Sequence, residues 1–179
     1  VYGPWADATT ELQARCDVAN EAHADAFVSI HIDSFANSSI DGITAYYNGK
    51  SANDLLLAQM MHQATINSLS IPDRGVRSND FYVNVHTAMP SVLMEVGFIT
   101  NNHRVQMLTS SWAPKSMAQS LFDGLVSYFS AIEKGGPMRK KIALASALIL
   151  SMVLAGCSPD SGSKPASNAS ALSASATSS

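Results

Sequence analysis

Cysteine and charge are both scarce in this sequence of 179 residues. The two cysteines, Cys16 and Cys157, lie far apart, which excludes a disulfide-rich scaffold and a zinc site built from paired cysteines. Only 14% of the residues are charged, and residues 1–137 hold 13 Asp and Glu against 7 Lys and Arg. An acidic body without a basic cluster argues against nucleic acid as a partner. The hydrophobic content of 46% is typical of one globular domain.

The C-terminal part of the sequence resembles a bacterial lipoprotein signal peptide. Met138 opens a basic stretch, an apolar run follows over 142–155, and the run ends at a small residue and Cys157. A run of this length is typical of a signal peptide and short for a bilayer span. The likeness implies that Cys157 is lipidated and that 138–157 associates with a membrane. Residues 158–179, rich in Ser and Ala, are predicted to form a disordered tether.

The position of this signal is unusual, because such a signal works at an N-terminus and this one follows residues 135–137. We therefore expect that residues 138–179 derive from a lipoprotein gene joined to the end of another reading frame, with 135–137 as the junction. A C-terminal apolar anchor is the alternative. A buried helix of the main domain is disfavoured, because the run has no polar face.

Residues 1–134 alternate between helical and strand patterns, which predicts an α/β domain with a mainly parallel sheet flanked by helices. Apolar residues recur at helical spacing in three segments, 10–23, 53–69 and 115–133. Runs of β-branched and aromatic residues predict four strands, 26–32, 42–47, 81–85 and 91–96. The segment Pro72-Asp73-Arg74-Gly75 predicts a turn.

Two polar side chains on the predicted strands are candidates for chemistry. His31 lies near the carboxyl end of the first strand, where open α/β sheets gather their ligands. Glu95 interrupts an apolar run, and an unpaired buried carboxylate is unfavourable. Together they suggest a metal-assisted hydrolase in which the carboxylate takes a proton from water. Two structural alternatives stay open, namely a core histidine with a satisfied hydrogen bond and a buried pair of Glu95 with an arginine such as Arg74.

The remaining histidines have structural explanations. His62, within a predicted helix, and His103, after the predicted turn or cap at Asn101, are expected to be solvated. His23 is expected to end the first helix, where a cation suits the helix dipole. His86 precedes the strand of Glu95 closely enough to remain a candidate for the site.

Four segments follow each other in the order found in the zinc-dependent N-acetylmuramoyl-L-alanine amidases of the type 3 family, which the sequence resembles over residues 12–131. The segments are AN at 19–20, ADAFVSIH at 24–31, DRGV at 73–76 and MPSVLMEVGFITN at 89–101. The resemblance implies an amidase-like fold and hydrolysis of the amide bond between N-acetylmuramic acid and L-alanine in peptidoglycan. It also implies a place in the bacterial cell envelope, in the periplasm or cell wall.

The resemblance implies a role for each candidate residue, with His31 as a zinc ligand and Glu95 as the catalytic base. A catalytic zinc normally keeps three protein ligands, and the sequence has no G-H-G-like motif. The two further ligands are expected upstream of Val1, so that 1–134 would be a catalytic domain truncated at its N-terminus and inactive by itself. The alternatives are a zinc peptidase acting on the stem peptide and an inactive wall-binding or envelope protein.

The signal prediction is testable with a reporter protein. Residues 138–179 fused to the N-terminus of a secreted reporter should send it to the membrane fraction. Cys157→Ser should release the reporter, because the acyl chain that anchors it can no longer be attached. A fusion carrying Ser161→Ala is the matched control and should stay bound. Membrane retention that survives Cys157→Ser would contradict the lipoprotein prediction and favour a plain apolar anchor.

Overall fold

The structure, a computed structural model, describes residues 8–135. The predicted signal at 138–157 and tether at 158–179 lie outside these residues. The helices and strands follow in the order α1 (Ala8–Glu21), β1 (Phe27–Asp33), β2 (Ile43–Tyr47), α2 (Ala52–Leu69), β3 (Asp73–Ser78), α3 (Tyr82–His86), β4 (Ser91–Phe98), α4 (Asn102–Leu108) and α5 (Ala113–Gly135). In this part of the chain, every helix falls short of the length and apolar character needed to cross a membrane.

The four strands form one mixed sheet in the order β1-β4-β2-β3. The pairings β1–β4 and β2–β3 are parallel, which confirms the α/β prediction, whereas the central pairing β2–β4 is antiparallel. Parallel strands need a long crossover, usually a helix. Only the irregular segment 34–42 joins β1 to β2, so β2 returns in the direction opposite to β1.

The sheet has helices on both faces, as predicted. One face packs against α2 and α5 around a buried cluster that includes Leu57, Met61 and Met94. The other face is covered by α1 and α3 around Cys16, Val83 and Leu93. Because strand side chains alternate between the faces, Glu95 lies on the same face as Leu93, outside the larger core.

Two predicted elements are wrong, and one helix was not predicted. Residues 81–85 have strand composition, but residues 82–85 lie in helix α3 and Phe81 is its N-cap, because Tyr82 and Val83 pack against α1 and the sheet face instead of pairing with a strand. The predicted turn at 72–75 instead opens strand β3, where a register shift against β2 accommodates Gly75 at φ +85°. Helix α4 follows β4 directly, and Asn101 caps it as predicted by accepting the Arg104 N–H at 3.0 Å.

The prediction for His62 is also wrong, whereas that for His103 is confirmed. His103 is exposed on α4. His62 is buried on α2, with its Nε2 3.0 Å from Asp73 Oδ1 on β3 but outside hydrogen-bond geometry. The helical pattern placed His62 on α2 but gave no sign that β3 follows and brings Asp73 against it.

Buried polar contacts hold β4 at its start. Asp54, on the first turn of α2, is 0% exposed. Its carboxylate accepts hydrogen bonds from the Ser91 N–H at 2.9 Å, the Ser51 N–H at 2.6 Å and Lys50 Nζ at 3.3 Å. One carboxylate therefore joins the N-terminus of α2 to the first residue of β4.

The end of β4 is held by a buried ion pair. Arg104 on α4 is 2% exposed and donates from Nε and Nη2 to the two Asp41 oxygens at 3.0 and 2.6 Å. Its aliphatic stem lies against Gly97, which has φ +146°. A Cβ at residue 97 would come within 2.7 Å of the Arg104 Cγ and Cδ, so both the backbone conformation and the close approach require glycine.

The substitution Gly97→Ala should therefore destabilise the fold by about 2–4 kcal/mol, because it adds overlap with Arg104 to backbone strain. Gly75→Ala is the matched control, since Gly75 also has positive φ but has open space where a Cβ would lie. Its cost should be about 1 kcal/mol. Urea denaturation measures both. Equal losses of stability in the two variants would show that the approach of Arg104 does not constrain residue 97.

Candidate active site

The structure brings His31 and Glu95 together on one face of the sheet. The two residues are register partners in the parallel pairing of β1 with β4, and Thr44 on β2 is the partner of Glu95 on the other side. Both side chains are half-buried. The two residues that the sequence singled out from separate strands therefore form one polar site. This site lies on the part of the sheet face that α1 and α3 do not cover.

Glu95 has no compensating partner among the described residues. Its Oε2 is buried without a hydrogen bond. Burial, and then the negative charge of Asp33, raise the pKa of the Glu95 carboxyl to about 7. The guanidinium of Arg74, the alternative partner, instead lies 5.2 Å from the centre of the Phe98 ring. The structure thus contradicts a pair of Glu95 with Arg74.

His31 makes one hydrogen bond through its ring within the described part of the chain. Its Nε2 lies 2.9 Å from Ser29 Oγ, on the same strand. Burial, and then the positive charge of Arg15, lower the pKa of His31 below its usual value. The imidazole is therefore neutral at neutral pH, which is the form that binds metal ions.

The two residues fit part of a metal centre. His31 offers a neutral ring with one nitrogen that has no hydrogen-bond partner in residues 8–135, and Glu95 offers an unpaired buried oxygen. Within the same residues, no three His, Cys, Asp or Glu side chains converge as a metal site would require. The described residues thus supply one candidate ligand and one candidate base, but not a full ligand set.

The other histidines do not join this site. His86, which remained a candidate from the sequence, stacks on Tyr82 at 3.9 Å between ring centres and is exposed at the end of α3. His23 lies two residues past the end of α1 with φ +49°. Both positions agree with structural roles near helix ends.

An apolar rim, formed by Phe35 and Ile99, follows the strands that carry the site, and the sequence analysis missed it. The two side chains are each 57% exposed. Their backbones are tied to the strand ends, since the Ile99 N–H donates to the Asp33 carbonyl at 2.8 Å and the Phe35 N–H donates to Thr100 Oγ1 at 3.1 Å. The available signal was an apolar residue within two positions of the end of each strand.

Comparison with known proteins finds amidases. A family model described as N-acetylmuramoyl-L-alanine amidase matches residues 2–127. The amidase LytC of Bacillus subtilis is 38% identical over 125 residues, a match that covers 69% of this chain and 25% of LytC. The solved catalytic domain of the amidase CwlV from Bacillus (Paenibacillus) polymyxa is 33% identical with a TM-score of 0.63, covering 66% of this chain and 65% of that one. An amidase structure from Clostridium difficile 630 is 30% identical with a TM-score of 0.64. The chain thus spans a quarter of the length of LytC and about two thirds of each structure.

The raised pKa of Glu95 gives a testable dependence of stability on pH. The folded protein holds the Glu95 proton more tightly than the unfolded chain, so stability is lost as pH rises from about 4.5 through about 7. In buffer containing a chelator, Glu95→Gln should leave the melting temperature unchanged near pH 4 and raise it near pH 8. The gain should be about 1–2 kcal/mol, which allows for solvent screening of a half-buried group.

Glu133→Gln, at an exposed position on α5, is the control and should show no such pH-dependent gain. An earlier melting transition of Glu95→Gln near pH 8 would show that the carboxylate has a cationic partner.

Proposed function

Because the chain belongs to the N-acetylmuramoyl-L-alanine amidase family, we propose that it hydrolyses the amide bond between N-acetylmuramic acid and L-alanine in bacterial peptidoglycan. The observation that carries the proposal is the half-buried Glu95, whose Oε2 has no partner in the described residues and whose strand neighbour is His31. A carboxylate without a counter-ion is unfavourable for folding alone, and a hydrolase uses such a group as a base. Relatives named as cell wall amidases support a place in the cell envelope.

We propose zinc as the cofactor and His31 as one of its protein ligands. The free ring nitrogen of His31 and the unpaired oxygen of Glu95 support this assignment. Two further ligands would come from residues preceding Val1. Zinc in such a site lowers the pKa of water and polarises the amide carbonyl.

In this proposal Glu95 moves the proton. Its pKa of about 7 allows the carboxylate to accept a proton near neutral pH and to release it again. Glu95 takes the proton from the water that attacks the lactyl carbonyl carbon. The protonated carboxyl then gives this proton to the amide nitrogen as the C–N bond breaks. The products are a lactyl carboxylate on the sugar and a free amino group on L-alanine.

For the organisation of the chain, we propose a partial catalytic domain over 1–134, a junction over 135–137, a lipoprotein-type signal over 138–157 and a tether over 158–179. The basic start, the apolar run and Cys157 support the signal assignment. Under this proposal membrane association would depend on residues 138–157 and on the acyl chain at Cys157, and not on the catalytic domain.

The catalytic role of Glu95 is tested by Glu95→Gln in a chain extended by the residues encoded upstream of Val1. Release of stem peptides from purified peptidoglycan should fall by at least about 10²–10⁴-fold, because an amide cannot accept the proton of water. Zinc content and the circular dichroism spectrum should stay unchanged. Glu133→Gln is the matched control and should keep full activity. A Glu95→Gln variant with near-normal activity per folded molecule would remove Glu95 from the catalytic site.

A further inference from the structure

A buried hydroxyl lies beside the candidate zinc ligand. Ser29 and His31 are two residues apart on β1, so their side chains stand on the same face of the sheet. Ser29 is 8% exposed, and its Oγ lies 2.9 Å from His31 Nε2. Within the described residues this is the single hydrogen bond of either side chain.

This contact decides which ring nitrogen is available to a metal ion. Each imidazole nitrogen has one in-plane direction, in which it carries either a proton or a lone pair. The direction of Nε2 is taken by Ser29 Oγ, and a zinc ion would have to sit there at about 2.0–2.1 Å from the nitrogen. Nδ1 is the nitrogen that remains. Because a coordinating nitrogen must be unprotonated, the proton of the neutral ring then belongs on Nε2.

We propose that Ser29 is a positioning residue for His31: its Oγ accepts the Nε2–H, holds the ring in place and leaves Nδ1 free to bind the metal. This inference rests on the proposed function and adds to it the coordinating atom and the residue that selects it. Metal-binding histidines commonly donate their second N–H to an oxygen acceptor, and loss of that acceptor typically weakens metal binding by about 10–100-fold.

The test is the protonation of each ring nitrogen, read from nitrogen-15 NMR of the full chain with labelled histidine at about pH 8 in zinc-free buffer. The His31 signals are assigned by their loss in His31→Asn. The wild-type ring should be protonated at Nε2. Ser29→Ala should give a mixture of the two tautomers, and Ser29→Thr, which keeps the hydroxyl, should restore the wild-type pattern. The exposed His103 is an internal control and should not respond.

Zinc added to the same variants of the chain extended by the residues encoded upstream of Val1, which would supply the two further ligands, tests the coordinating atom. The Nδ1 signal of His31 should shift, and half-saturation should need up to about 10–100-fold more zinc in Ser29→Ala than in the wild type or Ser29→Thr. A wild-type ring protonated at Nδ1, a zinc-dependent shift of Nε2, or a Ser29→Ala ring identical to the wild type would each overturn the proposal. If Ser29→Ala does not fold, the wild-type tautomer and the nitrogen that shifts with zinc still decide whether Ser29 leaves Nδ1 free for the metal.

These signals do not depend on turnover. If the chain extended by the residues encoded upstream of Val1 showed the expected tautomer but no amidase activity, the proposed function would be contradicted and the role of Ser29 would stay intact. An active amidase whose His31 ring is protonated at Nδ1 would contradict the role of Ser29 and leave the proposed function intact.

Discussion

The parallel pairing of β1 with β4 places His31 directly across from Glu95, and every other feature of the candidate site depends on this register. Side chains alternate along a strand, so a slip of one residue would turn one of the two toward the core under α2 and α5. The register is fixed at both ends of β4. Asp54 accepts the N–H of Ser91 at the start of the strand. The ion pair of Arg104 with Asp41 holds the other end. Buried polar contacts of this kind are unfavourable when imperfectly made, so they oppose any other alignment.

The two faces of β4 differ in energetic character. Val92, Met94 and Val96 are buried in the larger core and contribute the apolar burial that holds the strand. On the opposite face, the Glu95 carboxylate carries a raised pKa and makes no ion pair in the described residues. The strand is thus stabilised from one side while it holds an unfavourable group on the other, which is the pattern expected where a fold supports chemistry.

The sequence was sufficient for the features that arise from local patterns. His31 and Glu95 could be found because a polar residue within an apolar strand is visible from its neighbours alone. The segment 81–85 was misassigned because its composition favours a strand, whereas packing against α1 decides its structure. The pair of Arg104 with Asp41 joins residues 63 positions apart, and nothing local indicates it. The antiparallel direction of β2, by contrast, follows from the connection over 34–42, which is too short for a crossover helix. The contact of Ser29 with His31 likewise follows from the two-residue period of a strand.

We propose that the site cleaves the bond between sugar and peptide, and the identity of the products tests this cleavage most directly. Purified peptidoglycan is incubated with the chain extended by the residues encoded upstream of Val1, and the soluble products are identified by mass spectrometry. We expect stem peptides with a free amino group on L-alanine, together with glycan that carries a free lactyl carboxylate. Peptides cut between two amino acids would identify a peptidase instead, and an absence of products from a folded, zinc-loaded protein would contradict hydrolysis altogether.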